Sequence, residues 1–145
     1  MGKIRMKVFF CCLVVGVFLA IAFSPLRAEW KKNKIQKTGT FSSLYYNEEG
    51  GDLLGMELRI AYCGNLGYQG TIQTAQGNPG ELIFIKNIQI GDDGQTSFRF
   101  IDEESGDNQP ITFTGRIDSK KITGSFSNHF WDKVTVLKRK NSYWD

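Results

Sequence analysis

Leu53-Leu54-Gly55-Met56-Glu57-Leu58-Arg59-Ile60-Ala61-Tyr62-Cys63 is the stretch that decides the fold class. Leu54, Met56, Leu58, Ile60 and Tyr62 recur at every second position, and Glu57 and Arg59 stand between them. Successive side chains of a strand point to opposite faces, so this spacing predicts a strand with one buried face and one polar face.

The same grammar extends in both directions. Upstream, residues 39–46 form an aromatic run, and 47–52 make a turn rich in Gly, Asn and Asp. Downstream, 64–67 is a turn and 68–76 a polar, Thr-containing strand, broken at 77–81, where Pro79 bars a helix. Residues 82–90 are strongly apolar, with an alternation that falters at Lys86 and Asn87, where a bulge would rephase it. After a turn at 91–95, residues 96–101 place Phe98 and Phe100 on one face. An acidic loop at 102–110 leads to 111–117, with Ile111, Phe113 and Ile117 inward. Asp118-Ser119-Lys120-Lys121 turns the chain into 122–126, and 134–139 closes the series.

These are eight candidate strands at intervals of about ten residues, the spacing of an all-β barrel or sandwich. No segment has a helical period of useful length. Short loops favour antiparallel neighbours. The expected fold is an eight-stranded antiparallel up-and-down barrel, which removes exposed strand edges; a two-sheet β-sandwich is the alternative.

The chain opens differently. Lys3, Arg5 and Lys7 precede an uncharged run from Val8 to Phe23, followed by Ser24, Pro25, Leu26, Arg27 and Ala28. A basic head, an apolar run shorter than the ~20 residues of a spanning helix, and a short polar end read as a secretory signal peptide over residues 1–28, cut after Ala28. Phe9 and Phe10 before Cys11 argue against a lipoprotein site. Residues 29–38, with Lys31, Lys32, Lys34 and Lys37, read as an exposed basic leader, and residues 39–145 as the single β-domain. The expected location is exported, periplasmic or extracellular, with no membrane attachment after cleavage.

Removing the signal changes the charge. Its four basic residues leave 14 Lys and Arg against 15 Asp and Glu, so the basic balance of the whole chain is no argument for nucleic-acid binding. One cysteine remains, Cys63, which excludes an internal disulfide and reads as a small apolar side chain packed at a strand end.

Two resemblances follow from the residues. Gly39-Thr40-Phe41, together with the hairpin Thr114-Gly115-Arg116-Ile117-Asp118 to Ile122-Thr123-Gly124-Ser125-Phe126, resembles the lipocalin and avidin-type barrels of the calycin group. The likeness implies a barrel and transfers no ligand. Tyr46-Asn47-Glu48-Glu49-Gly50-Gly51-Asp52-Leu53-Leu54-Gly55 and Ser142-Tyr143-Trp144 look similar to small exported bacterial proteins of unknown function. The absence of an Asn-x-Ser/Thr sequon agrees with a bacterial source.

Catalytic and metal-binding signals are sparse. His129 stands without a fixed partner, His and Cys are too few for a metal cluster, and no phosphate-binding Gly loop precedes a helix. The reading therefore calls for no cofactor and no metal. Acidic loops carry the remaining signal. Alternate loops of an up-and-down barrel share an end, which would gather Glu48, Glu49, Asp52, Asp102, Glu103, Glu104 and Asp107 with His129 and Trp131. Such a rim attracts a cation or a basic protein surface, and Trp131 could anchor a partner or cap the core. The expected function is a non-catalytic exported barrel that binds a protein partner with a basic surface through this rim. One alternative is a carrier of a small apolar ligand in the lumen, although the wealth of aromatic residues predicts a filled lumen. A second is a small carboxylate-dependent hydrolase built on a pair such as Glu49 and Glu104.

Overall fold

Among the described residues, nine strands form one antiparallel sheet: β1 (Gly39–Ser42), β2 (Tyr45–Asn47), β3 (Asp52–Tyr62), β4 (Tyr68–Pro79), β5 (Ile83–Ile90), β6 (Gln95–Ile101), β7 (Pro110–Ile117), β8 (Lys121–Phe126) and β9 (Thr135–Arg139). The computed structural model describes residues 35–103, 106, 109–127, 130–131 and 134–144. The expected signal peptide and residues 29–34 of the leader lie outside these.

From β3 to β9 each strand pairs with the next, and β1 pairs with both β3 and β9. The sheet thus closes into an eight-stranded up-and-down barrel. The closing contacts are Phe41 with Leu58 on one side and with Arg139 on the other. The first expected strand is broken in two. Its second half, β2, pairs only with β3 through Tyr45↔Leu54, Tyr46↔Leu53 and Asn47↔Asp52, and lies outside the ring.

The expected bulge is present. Tyr68 pairs with Ile88 and Gly70 with Ile85, so β5 uses three residues where β4 uses two. Asn87 takes up the extra residue at φ 58°, a region Asn tolerates better than most residues. The shift lets Ile85 and Ile88, three apart, both point into the core.

Apolar side chains fill the lumen. Phe41, Met56, Leu58, Ile72, Phe98, Phe100, Phe113, Ile122 and Leu137 belong to one buried cluster, with Ile35, Phe130 and Trp131 packed against it. Phe98 stacks on Phe113 with ring centroids 4.8 Å apart, and Phe100 meets Phe130 edge-on at 5.3 Å. Such pairs add about 0.5–1.5 kcal/mol each beyond the area they bury.

The Gly115↔Gly124 pair makes room for this packing. Both glycines follow the inward phase of their strands. A Cβ on Gly124 would stand 2.4 Å from Phe113 Cζ, and one on Gly115 2.7 Å from the same atom. The two glycines are the hollow into which the Phe113 ring fits.

Some expectations need correction. The inward period of β3 ends at Ile60, because Tyr62 at the strand end pairs with Tyr68 and is 62% exposed. Glu57 on the polar face is buried, for a reason given below. Cys63 is exposed, since it precedes the short 3₁₀ turn Gly64–Leu66, which projects from the end of the β3–β4 hairpin. Residues 35–38 are held against the barrel. Arg139 donates to Thr38 O and Gln36 O, each at 2.5 Å, and Lys37 Nζ donates to Ile90 O at 3.2 Å and to Asp92 Oδ1 at 2.8 Å.

Candidate functional site

Strand direction sorts the strand ends into two groups. β2, β4, β6 and β8 finish at the upper end, where β3, β5, β7 and β9 begin, while 63–67, 91–94 and 118–120 lie at the lower end. The strand ends that flank the four acidic loops of the sequence reading are the upper ones.

Their side chains do not all serve a common rim. Glu48, Glu49 and Glu103 are exposed, whereas Asp52 and Asp102 are partly buried. Asp52 folds back over its own turn. Gly51 N donates to Asn47 O at 2.8 Å, and a Cβ on Gly50 would stand 2.8 Å from Asp52 Oδ2. Asp102 also has a partner within the fold. Trp131 is partly buried and packs on the core beside Phe130, with ring centroids 6.5 Å apart, so it serves at least in part as a cap. Glu104, Asp107 and His129 lie outside the described residues. Among those described, no three His, Cys, Asp or Glu side chains converge as a metal site.

Glu57 is the most deeply buried carboxylate among the described residues, only 2% exposed although it points out of the barrel. The segment after β9 covers it. Lys140 N donates to Thr40 O at 3.2 Å and Lys140 Nζ to Leu44 O at 3.1 Å, which carries the chain across β1. Ser142 Oγ then donates to Glu57 Oε1 at 2.7 Å, Tyr143 N to Oε2 at 2.9 Å, and Arg59 Nε to Oε1 at 3.0 Å. Arg59 also donates to Ser142 Oγ. Burial works to raise the pKa of this carboxyl, but the hydrogen bonds from Tyr143, Ser142 and Arg59 outweigh it and hold the group below its ordinary value. Both oxygens are engaged in fastening the C-terminal segment.

A groove of about 590 Å³ runs along the outer wall over β5, β6 and β7. Phe84, Lys86, Gln89, Arg99, Ile101 and Pro110 are among its lining residues. Phe84 is 73% exposed and Ile101 46%. Sequence reasoning passed over these residues. Their signal was the faltering alternation at Lys86 and Asn87, which leaves Phe84 on the outer face within a strongly apolar segment.

Comparison with family models, with curated proteins and with solved structures finds no match to this chain.

Proposed function

We propose that this protein is an exported, non-catalytic β-barrel that binds a protein partner through its outer surface, with the acidic upper loops as the contact. The observation that carries the reading is the packed lumen: Phe98, Phe100 and Phe113 occupy the space in which a barrel carrier would hold its ligand. Recognition is then the work of the outside, where Glu48, Glu49 and Glu103 present negative charge at one end. Exposed charge of one sign steers an oppositely charged surface and sets the register of docking. Export rests on the basic head and apolar run of the first 28 residues, and kinship with the calycin group on the barrel's strand count and order.

Pull-down from an envelope extract tests the proposal, with the unaltered protein set beside a Glu48→Lys, Glu49→Lys variant. Loss of specific partners by the variant is the expected result. Recovery of the same partners by both forms would remove the upper loops from consideration.

A further inference from the structure

The wall of the barrel is not equally knit all round. β6 and β7 pair through seven residues each, from Gln95↔Arg116 to Ile101↔Pro110. β5 and β6 pair only through Gln89↔Ser97 and Ile90↔Thr96. Above these two pairs comes the bulge at Lys86 and Asn87, and the ladder does not resume over residues 83–88 and 98–101. In an antiparallel sheet, the N–H and C=O groups of a strand aim alternately at its two neighbours. Here β6 pairs with β7 along its whole length, while its regular ladder to β5 stops after two pairs, although the two strands stay side by side.

The groove lies over this stretch, and its chemistry is one-sided. Lys86 stands on the β5 bank and Arg99 on the β6 bank, both exposed. No carboxylate is among the described residues that line it. Phe84 and Ile101 add an exposed apolar surface, one from each bank. Two exposed apolar side chains beside two unopposed cations give the groove both a charged and an apolar contact.

We infer that this groove binds an extended acidic peptide segment of a partner protein. An extended chain offers alternate side chains to each side and free backbone groups along its edges. Carboxylates on it meet Lys86 and Arg99, and an apolar side chain rests between Phe84 and Ile101. The charge of the lining selects an acidic segment, and the open trough selects an extended one. This surface is opposite in sign to the upper loops and does not depend on their role.

The test uses a fluorescein-labelled peptide of sequence Glu-Val-Glu-Phe-Glu-Val and its Lys-Val-Lys-Phe-Lys-Val counterpart, titrated against the purified protein by anisotropy and by amide NMR. The acidic peptide is expected to bind saturably and more weakly as salt rises. Amide shifts should centre on residues 83–90 and 97–101. Lys86→Glu with Arg99→Glu should weaken binding about tenfold or more, since two attractive charges become repulsive to the acidic peptide. Phe84→Ser should weaken it as well. Glu48→Lys with Glu49→Lys should leave it unchanged, which separates this site from the upper loops. The altered groove residues are exposed, and the same spectra report that each variant is folded. Absence of saturable binding, equal binding of the Lys peptide, undiminished binding by the double groove variant, or shifts centred on the upper loops would each overturn the inference.

Discussion

Tyr143 N donates to Glu57 Oε2 at 2.9 Å, joining residues 86 positions apart in the chain. The bond makes the C-terminal segment part of the wall. It also places a pH-sensitive group beneath it. The Glu57 carboxyl is held below its ordinary value of 4.5, so its contribution to stability is complete above that value and is lost as the pH falls through the folded value.

Acid should therefore loosen the C-terminal segment before it opens the barrel. Thermal melts between about pH 7 and pH 3 are expected to show a smaller fall in Tm for Glu57→Gln than for the unaltered protein. Parallel curves would contradict the assignment. At neutral pH, Glu57→Ala should cost about 1–3 kcal/mol, because Ser142 and the Tyr143 N–H lose their buried acceptor; chemical denaturation measures it.

Gly124 faces Phe113 so closely that even one methyl must displace the ring. Gly124→Ala is expected to destabilise the protein by about 1–3 kcal/mol through overpacking. Equilibrium unfolding in urea reads the loss directly. A neutral result would mean that both the Phe113 ring and the facing Thr114–Gly115 backbone can give way.

Much of this fold was legible in the sequence. Strand alternation in β3 and the aromatic faces of β6 and β7 depend on local spacing, and the strands from β3 to β9 fall close to where their periods place them, while the first expected strand divides into β1 and β2. The bulge at Lys86 and Asn87 announced itself as a phase error. What stayed hidden depends on distant partners. Glu57 reads as a surface acid, because nothing near it shows that Ser142 and Tyr143 will cover it. Cys63 reads as buried, because the projection of its turn is a property of the hairpin. The upper loops were placed at a common end by strand count alone, yet the inward turn of Asp52 and the packing of Trp131 arise from contacts that counting does not supply. The groove over β5 and β6 went unread because the failed pairing of two strands leaves no mark on either.

Arg139 binds the backbone of residues 36 and 38 and lies over the Phe41 ring at 4.4 Å. Its Nε also donates to Ser119 O at 2.9 Å. Lysine cannot reproduce this fork. Both Arg139→Lys and Arg139→Ala should release residues 35–38, seen as faster tryptic cleavage after Lys37. Unchanged cleavage at that bond would show that Ile35 and Lys37 hold the segment unaided.

Cys63 is exposed at the end of a hairpin. Iodoacetamide should modify it in the native protein at a rate within about tenfold of that in denaturant, as expected of an accessible thiol. Mass spectrometry follows the reaction, and circular dichroism should show the fold intact afterwards. Protection until unfolding would contradict its placement.

The barrel is closed over an interior packed with aromatic rings, which leaves its lumen no space for a ligand. An aromatic NOESY spectrum, recorded with and without saturating long-chain fatty acid, tests it most directly. Contacts between the rings of Phe98 and Phe113 and between those of Phe100 and Phe130 are expected, unchanged by the fatty acid. Loss of these contacts, with new ones from the acyl chain to Phe98 and Phe113, would contradict it.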